Sequence, residues 1–120
     1  MTLREVRELL NTEVLSGEEF LDREIKTAFA CDLMSDVLAF VNEKTLLLTG
    51  LVNSHTIRTA EMLDISAVVF VRGKKPDDDT LQLAKENDMV VMSTKYIMYE
   101  SSGILYSNGL RGACLAEKES

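Results

Sequence analysis

The chain runs to 120 residues, 46% of them apolar and 28% charged, and carries a net charge of −7. That length makes one domain with a core of its own, and the acidic balance argues against nucleic acid, whose binders need a basic face. No apolar run approaches the roughly 20 residues of a membrane span and no signal peptide opens the chain, so a cytoplasmic protein without a membrane partner is expected.

Thr2-Leu3-Arg4-Glu5 has the spacing of a capping box, and Leu3, Val6, Leu9 and Leu10 mark one face of a helix to about Leu10. Glu13-Val14-Leu15 is a short strand candidate turned by Ser16-Gly17, and the polar stretch 17–23 reads as a loop. Residues 24–31 alternate imperfectly, as a half-buried strand does. Asp32 then has the chemistry of a helix cap, with Leu33, Met34, Val37, Leu38 and Val41 following at helical spacing.

The stretch 44–72 organises the rest. Residues 45–50 read as a buried strand, 53–63 as an amphipathic helix and 67–72 as a second buried strand. This is the pattern of a right-handed βαβ crossover, whose strands are apolar throughout because both sheet faces are covered. A turn over 73–76 leads into a helix that opens on Asp77-Asp78-Asp79, where the dipole favours negative charge, and runs to about Asn87. Residues 89–92 form the last core strand. Ser93 or Thr94 is placed to cap a final helix carrying Ile97, Ile104 and Leu105, which Asn108-Gly109 ends. The reading is an α/β domain over residues 1–110, a mainly parallel sheet of about five strands flanked by helices, with a flexible tail over 111–120. Two thiols, Cys31 in a strand and Cys114 in the tail, fit a reducing compartment rather than a disulfide framework.

The ends of the two central strands, Thr49-Gly50 and Arg72-Gly73, should share the rim where open α/β sheets hold ligands. Asn53, Ser54 and His55 follow at a helix N-terminus, whose free N–H groups favour anions. Their plainer reading is that Asn53 or Ser54 simply caps the helix. Arg72, Lys74 and Lys75 form the basic cluster of the chain, either a solvated turn offsetting Asp77-Asp78-Asp79 or the phosphate-facing side of an anion site. Gly73-Lys74-Lys75 is not a phosphate loop, because the required glycine would stand at Val68 and no Ser or Thr follows Lys74. His55 has no cysteine or histidine partner at metal spacing, and no metal or cofactor is expected. Asp32 and Asp36 lie four apart like an acid/base pair, but capping accounts for the first. Met34, Met62, Met89, Met92 and Met98 read as core filler. The candidate ligand residues are therefore Thr49, Asn53, Ser54, His55, Arg72 and Lys74, with no catalytic set. On the final helix Tyr99 and Tyr106 fall on a second face, with Ser102 and Gly103 small enough to admit a neighbouring backbone. These four are candidate dimer-interface residues, unless the tyrosines are merely half-exposed singly.

Several of these segments together resemble a known family. They are Asp22-Arg23, the run Cys31-Asp32-Leu33-Met34-Ser35-Asp36-Val37, the strand 46–49 with Asn53, the stretch 67–71, Gly73, Pro76 and the strand 90–93. In this order they resemble the DRTGG domain, a module inserted in some phosphotransacetylases and in pyrophosphatases that also carry CBS domains. They are also similar to the N-terminal domain of HPr kinase/phosphorylase. The resemblance spans roughly residues 6–110. Where the family is named for Asp-Arg-Thr-Gly-Gly, this chain has Asp22-Arg23-Glu24-Ile25-Lys26, so no role of the Thr-Gly-Gly turn carries over. The resemblance implies an accessory regulatory or interaction domain, without catalytic activity of its own, that tends to self-associate. Adenine-nucleotide control in those pyrophosphatases resides in their CBS partners and does not transfer. A non-catalytic module is thus expected, a homodimer or the partner of another regulatory or metabolic protein. The alternative is a sensor that binds a small anionic ligand, phosphorylated or a nucleotide, at the rim.

Overall fold

Leu46, Leu47 and Leu48, like residues 67–70, leave no polar face, so their strands need cover on both sides. The computed structural model describes residues 1–40 and 44–113. In it these runs are β3 (Thr45–Thr49) and β4 (Ala67–Phe70), side by side at the centre of a six-stranded sheet. β2 (Thr27–Ala30) pairs parallel with β3, and β5 (Val90–Ser93) pairs parallel with β4. β1 (Glu13–Ser16) closes one edge antiparallel to β5, and β6 (Arg111–Gly112) closes the other parallel to β2. The strand order is β1-β5-β4-β3-β2-β6. The expected α/β fold with a mainly parallel sheet is therefore found, with one strand more than anticipated. That strand, with the buried Ala113 after it, carries the packed chain past Leu110 into residues read as tail. Val41, Cys114 and the rest of the tail lie outside the described residues.

Strand alternation divides the core in two. Leu46, Leu48, Val69 and Met92 pack with Leu3, Val6 and Leu10 of α1 (Leu3–Leu10) and Leu105 of α5 (Met98–Ser107). Leu47, Val68, Phe70 and Val91 pack on the other face with α2 (Met34–Phe40), α3 (Ser54–Met62) and α4 (Asp78–Glu86), through Met34, Val37, Ile57 and Ala84. The helix starts follow local chemistry. Thr2 and Glu5 form the capping box, Asn53 accepts from the Thr56 N–H at 3.2 Å, and Asp77 accepts from the Thr80 N–H at 2.8 Å. The Thr80 N–H holds the Asp77 carboxyl below the usual carboxylate range.

Three expectations are corrected. Asp32 does not cap α2: the helix opens at Met34, and it is the Leu33 carbonyl that accepts from the Asp36 and Val37 N–H groups. Neither Ser93 nor Thr94 caps α5, which begins at Met98 after Ile97 and has no side-chain cap. Their hydroxyls instead donate to the carbonyls of Lys74 and Leu10, each at 2.7 Å, tying β5 to its surroundings. As a result Ile97 is exposed, and Ser101 and Leu105 form the inner face of α5. Met62 is likewise exposed, whereas Met34, Met89 and Met92 are buried as expected.

Candidate functional site

Strands β2 to β5 finish on one rim, and the second residue after β2 decides its geometry. Asp32 leaves the strand end and reaches sideways: one carboxylate oxygen accepts from the Thr49 hydroxyl at 2.9 Å and from the Gly50 N–H at 2.7 Å. It fastens the end of β2 to the end of β3. The Gly50 N–H is the main cause of a carboxyl pKa held below its usual range, with desolvation opposing and Thr49 and the charges of Arg72 and Lys74 assisting.

A Cβ at Gly50 would stand 2.8 Å from Nη2 of Arg72, the end of an exposed, flexible side chain that could swing aside. The guanidinium lies across the space a side chain would fill. Arg72 itself is held in the left-handed region at φ 61°, followed by Gly73 at φ 69°, a conformation that costs an ordinary L-residue about 1–2 kcal/mol. The turn is braced by its amides. Arg72 N–H donates to the Tyr96 carbonyl at 2.9 Å, Gly73 N–H to Thr94 at 2.8 Å, and Lys74 N–H to Val71 at 3.2 Å. Among the described residues no hydrogen bond engages the Arg72 guanidinium.

Of the residues singled out in the sequence, Thr49, Arg72 and Lys74 are gathered around Asp32. Asn53 is committed to its cap, and Ser54 and His55 stand exposed on the first turn of α3. Among the described residues no hydrogen bond or ion pair joins those three to Arg72 or Lys74. The basic cluster is split as well: Lys74 acts on Asp32, while Lys75 turns away to Glu13 at 2.8 Å. Among the described residues neither lysine pairs with Asp77-Asp78-Asp79. Asp32 was missed as a rim residue, whereas Gly50 was placed on the rim without a role and proves to be the donor that Asp32 accepts from. The available signal was a carboxylate directly behind a strand, at the carboxyl end where such sheets act. Among the described residues no three His, Cys, Asp or Glu side chains come together as a metal site, and no helix is long and apolar enough to cross a membrane.

The family model described as the DRTGG domain matches residues 5–107. The chain belongs to the DRTGG domain family. No curated protein sequence matches it. Among solved structures it is similar to the CBS and DRTGG domains of the regulatory region of Clostridium perfringens pyrophosphatase, a crystal structure with the activator diadenosine tetraphosphate. The TM-score is 0.69 at 17% identity, over 87% of this chain and 45% of that one. At that identity the likeness shows the fold. This chain spans less than half the length of that protein.

Asp22 and Arg23, matched in the sequence to the start of the family's name, both do structural work far from the rim. Arg23 donates to the carbonyl of Asp88 at 2.6 Å and to that of Ser66 at 3.4 Å, with its guanidinium 4.1 Å from the centre of the Phe20 ring. Ser66 and Asp88 precede β4 and β5, so Arg23 clamps the amino ends of two parallel strands. Asp22 pairs with Arg4 of α1 at 3.1 Å.

Proposed function

We propose that this DRTGG domain is a non-catalytic regulatory module that works by pairing with a second copy of itself through the outer face of α5. The observation that carries this is a single helical stripe. Tyr99, Ser102, Gly103 and Tyr106 are spaced i, i+3, i+4 and i+7, with Tyr99 and Gly103 turned outward and Ser102 and Tyr106 flanking Leu105 over the β2 and β6 edge. Tyr99 is 84% exposed and Tyr106 63%. Between them Gly103 has no neighbour within 4 Å of where a Cβ would stand. Two rings flanking a small-residue notch can face their own copy across a two-fold axis, each ring over the partner's glycine. Tyrosine suits such a contact because it brings a large, stiff ring with a polar tip. The regulatory reading also accords with the pyrophosphatase regulatory region to which the fold is similar. Light scattering over a range of concentrations tests the pairing. A dimer mass is expected, reverting to monomer when Tyr99→Glu and Tyr106→Glu are combined. A monomer at every concentration would remove the reading, and a dimer that survives both changes would move the interface off α5.

A second reading, a sensor for a small anionic ligand at the rim, draws support from Arg72. Its side chain is exposed, makes no hydrogen bond among the described residues beyond the pull of its charge on Asp32, and leaves a strained turn; strain of this kind concentrates at ligand clamps. Thermal shifts with acyl phosphates and nucleotides provide the check, since a ligand at 100 times its Kd adds about 2.7 kcal/mol. A stabilisation abolished by Arg72→Ala is expected; one that persists in that variant refutes the rim as its seat.

A further inference from the structure

The connections of this sheet change sides once. α2, α3 and α4 follow β2, β3 and β4 and all cover one face, whereas α5 follows β5 on the opposite face and leads to β6 at the far edge. Adjacent strands β4 and β5 therefore send their chains to opposite faces, and the two loops part above the sheet. Ligand crevices in open α/β sheets form at such a switch point, outside the carboxyl ends of the strands. A cavity of about 570 Å³ lies there, between Gly73 and Lys75 after β4 and the 93–96 loop after β5, with Asn11 and Glu13 as its outer wall. That volume falls within the roughly 300–1,000 Å³ of small-molecule sites. The rim around Asp32 and Arg72 lies instead over the ends of β2, β3 and β4, whose following helices share one face.

We propose that this cleft binds a small phosphorylated molecule no larger than a mononucleotide, with Lys75 and Lys95 holding the phosphate and Tyr96 contacting the organic part. The charges favour an anion. Lys75 and Lys95 both line the cavity, against Glu13 as the carboxylate among its lining residues, in a chain whose net charge is −7. Lysine is a point-charge partner for phosphate, and Lys95 has no ion pair among the described residues. Lys75 is bonded to Glu13 at 2.8 Å, so the carboxylate stands in for the anion that replaces it. Three of the last four carbonyls of α1 nearby are already taken by other donors. The Leu10 carbonyl takes the Thr94 hydroxyl, and those of Arg7 and Glu8 take the Thr12 and Asn11 N–H groups. The cleft is also preformed, because the two loops that bound it are joined by the Arg72–Tyr96 and Gly73–Thr94 backbone bonds and need little ordering on binding.

This proposal depends on neither the α5 pairing nor the Arg72 reading. Its test is an amide NMR titration of the full chain with inorganic phosphate and with AMP as probes. Saturable shifts are expected at Gly73, Lys75, Thr94, Lys95 and Tyr96, with AMP binding more tightly than phosphate. Lys95→Ala and Lys75→Ala should each weaken AMP about tenfold, Glu13→Gln should tighten it, and Tyr96→Ala should bring AMP down to the level of phosphate. These four side chains are exposed, so the substitutions leave the core intact. No saturable shift with either probe overturns the proposal. So does binding indifferent to both lysine variants, or shifts centred on Thr49, Gly50 and Arg72 that disappear in Arg72→Ala.

Discussion

Replacing Gly17 by alanine is expected to destabilise this domain by about 2–5 kcal/mol, from a left-handed backbone cost and an overpacking cost that add. Gly17 follows the buried Ser16 at the end of β1 and sits at φ 77°. A Cβ there would lie 2.9 Å from both Cα and Cγ2 of Val90 and 3.0 Å from the Met89 carbonyl oxygen. Two of those three atoms are backbone of a fully covered segment, so the clash cannot be relieved by turning a side chain. The Ser16 hydroxyl bond to the same Met89 carbonyl, 2.8 Å long, would be strained by any outward shift. Gly109→Ala serves as the comparison. It has φ 102° and no neighbour within 4 Å, so it should bear only the conformational cost of about 1–2 kcal/mol. Urea midpoints measure both. Equal losses at the two positions would contradict the steric argument for Gly17.

Asp32→Ala is expected to cost about 1–2 kcal/mol, while Asp36→Ala stays within about 0.5 kcal/mol of the parent, as surface substitutions usually do. Asp32 accepts two hydrogen bonds while ionised; bonds to charged groups contribute about 1.5–3 kcal/mol each, discounted here because the carboxylate is exposed to solvent. The Gly50 N–H chiefly lowers its pKa in the folded state. A lowered carboxylate pKa stabilises the fold above the unfolded value, and that contribution is lost as pH falls through the folded value. The difference between the parent and Asp32→Ala should therefore be full near neutral pH and shrink below about pH 4. Asp32→Asn, which can still accept from Gly50 but carries no charge, should fall between the two at pH 7 and converge on the parent in acid. Denaturation curves at pH 7 and at pH 3 measure this. A difference independent of pH would show that the carboxylate charge has no part in holding β2 to β3.

The family resemblance held over residues 5–107, whereas the physical reading failed at particular residues, each for its own reason. Asp32 was assigned to α2 because a carboxylate ahead of an apolar helical run is a sound capping signal. Its nearer partners, Thr49 and Gly50, become neighbours only once β2 and β3 pair, with Ala30 opposite Leu48. Arg72 and its lysines read as one cluster because they are adjacent in sequence. The left-handed turn at Arg72-Gly73 sends Lys74 and Lys75 to different sides. The stripe on α5 could be read because its spacing is a property of the helix alone, even though the start of that helix was misplaced by several residues.

The sequence by itself determined the order and kind of the elements as far as α5, the two-sided burial of β3 and β4, the capping box at Thr2 and a cap at Asn53 or Ser54. Each of those rests on side chains three or four residues from their partners, or on a run of apolar residues, and such interactions form wherever the chain is helical or extended. Only the tertiary structure decided that β1 runs antiparallel beside β5, that Arg111–Gly112 becomes an edge strand beside β2, and that a crevice opens between the ends of β4 and β5. It also decided the bonds that set the rim and its far end: Asp32 to Gly50 across 18 residues, Arg23 to Asp88 across 65, and Thr94 to Leu10 across 84. Their donors and acceptors carry no mark of one another in the chain, because strand pairing, not local propensity, brings them within 3 Å.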